Sequence, residues 1–155
     1  MRGVSYTTAD ARQQLLESVA SAAESLSRAL ALLSEAYEQL DEHGAEELER
    51  HVFRPVQLAY GRAQRTYSDF ASRHELSARA FAPAPRAAPA HGVKEFVDSA
   101  VQAVAEADAT LATLQDSMLP VEVGDPQLRA GLEDVRGLLS GVGSRARALL
   151  RTFGR

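Results

Sequence analysis

The 155 residues include no cysteine. That excludes a disulfide framework and every thiolate metal site. Lysine is almost as scarce: Lys94 is the only one, and the other basic side chains are arginines. With the abundant alanine, this is the composition expected of a GC-rich bacterial genome. No run reaches the roughly 18 consecutive apolar residues of a membrane span. Met1 to Ala11 lack the apolar stretch of a signal peptide, so the expected location is the cytoplasm. Missing too are a glycine-rich phosphate loop, a nucleophilic triad, a pair of facing carboxylates and a cluster of metal ligands. Glu47 precedes His51 by four residues with Leu48 between them, whereas di-iron bundles need Glu-x-x-His projecting inward. No enzymatic activity, cofactor or metal is expected.

What the chain has instead is periodicity. Three of its four long segments carry an unbroken 4-3 apolar spacing eight positions long. The first is Leu15, Val19, Ala22, Leu26, Ala29, Leu33, Ala36 and Leu40. The next is Val93, Val97, Ala100, Val104, Ala107, Leu111, Leu114 and Met118. The last is Leu128, Leu132, Val135, Leu139, Val142, Ala146, Leu149 and Phe153. A repeat of 3.5 residues keeps one seam of a helix facing its partners over many turns. Small residues recur on that seam at Ala22, Ala29, Ala36, Ala100 and Ala107, and they let helices approach to about 8 Å, the close end of the usual range. So tight a seam leaves little room for a haem or flavin. The expected fold is all-α, an elongated antiparallel four-helix bundle in up-down-up-down order with coiled-coil-like packing. Residues 1–155 are read as one domain, a hairpin over 7–80 and a second over 93–154 joined by a linker at 82–92.

Capping chemistry sets the expected boundaries. Thr7 and Asp10 have the spacing of a capping box, and the helix they open runs to Leu40 and stops at Gly44 as a left-handed C′ residue. The second segment covers Ala45 to Arg79; Pro55 lacks a backbone donor, so either the helix kinks there, the favoured reading, or a short helix ends near Phe53 and the main one starts with Pro55 in its first turn. Ala82 to Gly92 alternates alanine and proline and favours an extended polyproline conformation that could span roughly 30 Å. That reach permits a diagonal crossover, or exchange of hairpins between two subunits. The third helix covers Val93 to Met118. The fourth opens with Asp125 as N-cap and Pro126 at the first helical position and runs to Phe153. Gly137 and Gly141 form a small strip along it.

Charge is divided by segment. Residues 1–49 carry 3 arginines and 10 acids, net −7; residues 50–90 carry 7 arginines and 2 acids, net +5. Residues 91–126 carry Lys94 and 7 acids, net −6; residues 127–155 carry 6 arginines and 2 acids, net +4. With sequential helices as neighbours, each acidic helix would flank two basic ones, an arrangement that disfavours like helices side by side.

Three functional candidates follow. The first is a protein-interaction or self-assembly module, a structural protein whose partner is another protein or a second copy, including a hairpin-swapped dimer. Its contacts are expected at Tyr60, Arg62, Arg65 and Tyr67 on the second helix and at Arg147 and Arg151 near the C-terminus. The second is a nucleic-acid or anionic-surface binder. Arg50, Arg54, Arg62, Arg65, Arg73 and Arg79 fall within one arc of a helix, and Phe53, Tyr60 and Tyr67, spaced by seven, lie on another side beside Gln57 and Gln64. The net charge of −4 argues against nucleic acid. The third rests on AlaHisGlyValLys at 90–94, which resembles the His-x-x-Lys core of bacterial histidine-phosphotransfer domains. That resemblance implies a four-helix bundle in which His91 carries the phosphoryl group with Lys94 one turn on; Glu95 stands where that family has a small residue. His43, His51 and His74 are read as surface or capping histidines.

Overall fold

A computed structural model describes residues 7–82, 84–86 and 92–153. Every regular element among them is helical. Helix α1 spans Thr8–Gln39, α2 Glu42–Leu48, and a π-helical turn Glu49–Phe53 leads into α3, Arg54–Arg73. After the crossover come α4, Val93–Asp116, a single turn α5, Leu119–Glu122, then α6, Pro126–Leu139, and α7, Val142–Phe153.

The expected capping box is present. The Thr7 hydroxyl accepts the Asp10 N–H at 3.0 Å, and the Asp10 carboxylate accepts the Thr7 N–H at 3.3 Å. The far end differs from expectation. Backbone at Leu40 and Asp41 is extended, and the Asp41 carboxylate accepts the Gly44 N–H at 2.7 Å. Gly44 therefore lies inside α2 and is not a helix stop, because α1 ends at extended Leu40 and the Asp41 cap three residues before Gly44 opens α2.

Pro55 does not break the second rod. Backbone angles stay right-handed helical from Leu48 through Arg54, and the π turn absorbs the missing donor. The carbonyl of His51, four residues before the proline, instead accepts the Arg145 side chain of α7 at 2.9 Å. An unsatisfied buried carbonyl would be costly, so this bond both repairs the ladder and pins α7.

The second rod ends at Arg73, six residues earlier than its arginine spacing suggests. Glu75 is left-handed with φ 53°. The Glu75 N–H bonds to Ser72 O at 3.3 Å and the Leu76 N–H to Ala71 O at 2.8 Å, which is the Schellman pattern. Glycine is the usual residue there; with a glutamate in its place the stop leaves no mark in the sequence. The fourth rod is also broken. Gly141, with φ 81°, separates α6 from α7, so the expected continuous helix from Pro126 to Phe153 is two helices, although Val142 and Ala146 remain buried in register.

The apolar stripes form one core. Seven of the eight positions of the first stripe are fully buried, Leu15 through Ala36, and Ala22, Ala29, Ala36, Ala100 and Ala107 lie at its centre. The most extensive helix contact is between α1 and α4. These run antiparallel: Arg28 pairs with Glu106 at 2.9 Å and Arg12 donates to Val123 O at 2.9 Å. Helix α3 packs on both α1 and α6, and α4 meets α6 and α7 through Arg136–Asp108 at 2.8 Å and Val101 beside Gly143. Helices α3 and α4 therefore both run against α1, in up-down-down-up order. This corrects the expected up-down-up-down order, and with it the expectation that acidic helices avoid each other. Surface repulsion amounts to about 0–1 kcal/mol per pair, less than the burial gained on an alanine seam many turns long.

One contact depends on a glycine that the sequence reading did not single out. A Cβ on Gly131 would lie 2.2 Å from Thr66 Oγ1 and 2.8 Å from its Cγ2, so α6 sits directly on α3. By contrast a Cβ on Gly137 meets nothing within 4 Å. Gly131→Ala is expected to lower unfolding free energy by about 1–3 kcal/mol, the usual range for overpacking, and Thr66→Ala in the same chain to recover part of it. Urea titrations of the two single variants and the double measure this coupling. Glu75→Gly is expected to raise stability by about 0.5–1 kcal/mol, since the left-handed strain removed exceeds the added freedom of the unfolded chain; a lower melting temperature would show that the Glu75 conformation is not strained.

Candidate interaction surface

The six arginines expected on one arc are largely paired. Arg50 meets Glu47 at 3.2 Å, Arg54 meets Glu49 at 2.7 Å, Arg62 meets Asp134 at 3.0 Å and Arg73 meets Asp125 at 2.8 Å. Arg79 lies beyond the end of α3 and pairs with Glu17 at 3.1 Å and Glu24 at 2.7 Å. Arg65 alone of the six has no ion pair among the described residues. On α7, Arg147 and Arg151 are exposed and likewise carry none among the described residues.

Tyr67 is not available as a contact. It is 2% exposed, its ring meets Phe81 edge-on at 5.0 Å, and its hydroxyl accepts the Arg79 N–H at 3.0 Å. The early end of α3 is the reason: the chain folds back over the helix and covers the ring. Tyr60 is half-buried, and its hydroxyl accepts from Gln64 Nε2 at 3.3 Å.

The returning segment climbs the acidic side of α1. Gln13 Nε2 donates to Ser77 O at 3.0 Å, Arg79 reaches Glu17 and Glu24, and the Ala84 N–H donates to Ser27 Oγ at 3.1 Å. Arg86 meets Glu35 at 2.7 Å and Glu38 at 3.0 Å. Glu35 is buried, so Arg86 supplies the partner its carboxylate requires. The crossover thus neutralises an acidic stripe that would otherwise lie bare beside the acidic α4.

Asp125 gathers the densest polar contacts. Its carboxylate caps α6 through the Leu128 N–H at 2.7 Å, takes both Arg73 nitrogens at 2.8 and 2.9 Å, and meets His74 Nε2 at 2.9 Å. The sequence marked Asp125 as a cap, Arg73 as a member of the arginine arc and His74 as a surface or capping histidine; nothing in it joined the three, because they meet only once α3 ends where it does. Burial by itself would raise the Asp125 pKa. The bonds from Arg73, the Leu128 amide and His74 outweigh burial and lower it from 3.8 to about 2.

The outer face of α3 and α6 carries one of the four large apolar side chains exposed among the described residues, the others being Tyr37, Met118 and Val121. Leu58 is 55% exposed in mid-helix. With Arg62, Arg65, Glu133, Asp134, Gly137 and Leu138 it lines a shallow groove of about 470 Å³. Arg62 and Asp134 neutralise each other across it, whereas Arg65 and Glu133 have no ion pair among the described residues. Leu58 lies off the buried face marked by Val52, Val56, Ala59, Ala63 and Phe70, and that offset is the sequence signal that could have found the patch.

His43 is exposed, His51 lies 3.6 Å from Glu47, and His91 lies outside the described residues. Lys94, its expected neighbour, pairs with Asp98 at 2.7 Å. Among the described residues no three histidine or acidic side chains form a group that could hold a metal, and no helix is long and apolar enough to cross a membrane. No family model, curated protein or solved structure matches the chain.

Because the folded pKa of Asp125 is depressed, its stabilising contribution is fully present above pH 4 and is lost as pH falls toward 2. The shift corresponds to about 2 kcal/mol. Asp125→Asn keeps a capping side chain but removes the charge. It is expected to lower stability by about that amount at pH 7 and to flatten the loss of stability between pH 4 and 2. Guanidinium unfolding across that range tests it; an unchanged acid profile would show that the Asp125 carboxylate is not the group responsible.

Proposed function

We propose that this chain is a non-enzymatic protein-interaction module. It is an elongated antiparallel helical bundle with coiled-coil-like seams, and it docks a protein through the outer face of α3 and α6. The observation that carries the reading is the exposed mid-helix Leu58, beside the half-buried Leu138 and rimmed by Arg65 and Glu133. Scattered exposed apolar side chains are normal. A contiguous apolar spot with unmatched charges at its edge is the composition of a small recognition patch. Arg147 and Arg151 of α7 serve as accessory contacts for acidic groups of a partner.

The nucleic-acid reading of the arginine arc has less support, since five of its six members already face acids in the same chain and counterion release needs arginines free to meet phosphate. The phosphotransfer reading has less support too, since Lys94 faces Asp98 on its own helix.

A photo-crosslinking amino acid in place of Leu58, in the native cell, is expected to give a light-dependent adduct with a protein. The same residue in place of the exposed Gln102 on α4 is expected to give none. No protein adduct at position 58, or equal adducts at both positions, refutes the proposal.

A further inference from the structure

We infer that the occupant of the α3–α6 face is a second copy of this chain, paired about a two-fold axis. The inference rests on reading that face as an interaction surface, and goes further by naming the partner. In a two-fold interface the same patch meets itself, so if residue i touches j in the partner, j touches i. Such a patch must be complementary to itself. This one is: around the apolar centre of Leu58 and Leu138 it offers one cation, Arg65, and one anion, Glu133, without an ion pair among the described residues, while Arg62 and Asp134 neutralise each other. Two copies match both charges twice. A uniformly acidic or basic partner would leave one charge of the pair opposed by its own sign.

The glycines add an independent argument. Gly61 and Gly137 lie within helices, where glycine is less stable than alanine. A Cβ on Gly137 would meet nothing within 4 Å, and one on Gly61 only Arg65 Nη1 at 3.5 Å. Among the described residues neither glycine makes room for another side chain, unlike Gly131 against Thr66. Bare backbone on an exposed face lets another helix approach closely. The face is small. Helix α6, with 14 residues, is about 21 Å long, and two helices side by side are about 20 Å wide. Two copies then bury about 840 Å² on these dimensions, below the range of stable specific interfaces, so the dimer is expected to be micromolar or weaker.

Sedimentation equilibrium of the full chain from about 10 to about 500 µM brackets that affinity. The mass is expected to rise with concentration from one chain of 16.7 kDa toward two. Arg65→Glu and Glu133→Arg are each expected to weaken association by about tenfold or more, and the double reversal to restore it. Gly137→Ala is expected to raise the melting temperature while weakening the dimer, a split that a purely structural role of the glycine would not produce. A single-chain mass at every concentration overturns the inference, as does a double reversal that fails to restore pairing, or a Gly137→Ala dimer as tight as the parent. If the mass stays at one chain while position 58 still crosslinks to a different protein, the second-copy inference falls and the interaction module stands. If neither association nor crosslink is seen, both fall.

Discussion

The close approach of α1 and α4 along their alanine seam is the constraint on which the rest of the architecture depends. Ala22, Ala29 and Ala36 on one helix and Ala100 and Ala107 on the other are buried, and small side chains let the two backbones come near enough for contact along their lengths. Once α4 lies antiparallel to α1, it must begin at the end of the molecule opposite the end of α3. The connection cannot be a tight hairpin. It has to travel the length of α1, which the alanine-proline composition of residues 82–92 suits, and the arginines placed along it settle the charge problem created by setting two acidic helices together. Arg79 and Arg86 take four acids of α1 between them. Packing decides the neighbour order, and electrostatics is then adjusted locally.

The second half of the molecule is held by a different device, polar bonds at points where helices are interrupted. Pro55 frees the carbonyl of His51 and Arg145 occupies it. The Schellman end of α3 sets Arg73 and His74 beside Asp125, which in turn caps α6. The carbonyl freed at Pro55 is answered from another helix, whereas the end of α3 satisfies its own backbone through Schellman bonds and sends its Arg73 and His74 side chains to the α6 cap. Interruptions of this kind fix the register between rods more strictly than an apolar seam can, because a seam with a 3.5-residue repeat can slip by a heptad with little loss, whereas a charged group and its unique acceptor cannot.

Much of the fold was legible for one reason: the 4-3 spacing reports burial directly. Nearly every position it marks, from Leu15 to Ala146, is buried in the structure. The helix starts were legible because the Thr7–Asp10 capping box and the Asp125 cap with Pro126 act within one helical turn. Topology was not legible, since the charge blocks suggested sequential neighbours and local sequence does not encode how closely two alanine faces can approach. Helix ends also misled where an unusual residue occupies a special conformation. Glu75 sits where glycine is the norm, and Gly44, a plausible stop, lies inside a helix. Both errors had consequences for the site. Extending α3 to Arg79 placed Tyr67 and Arg79 on an open face, when the chain in fact turns back and buries the tyrosine beneath Phe81.

The glycines of α6 separate what holds the fold from what the fold leaves unused. Gly131 has its missing side chain replaced by Thr66 of α3, so its cost in helix stability is offset inside the molecule. Gly137, six residues on and exposed, has no such compensation. A helix formed only for its own stability would carry alanine there. Leu58 makes the same point from α3: its side chain leaves the core face and lies in solvent, while the alanines around it are buried. Locally unfavourable choices on a surface that the fold does not use are expected where something else uses it. On this chain they coincide with the two unmatched charges, Arg65 and Glu133, on a single face.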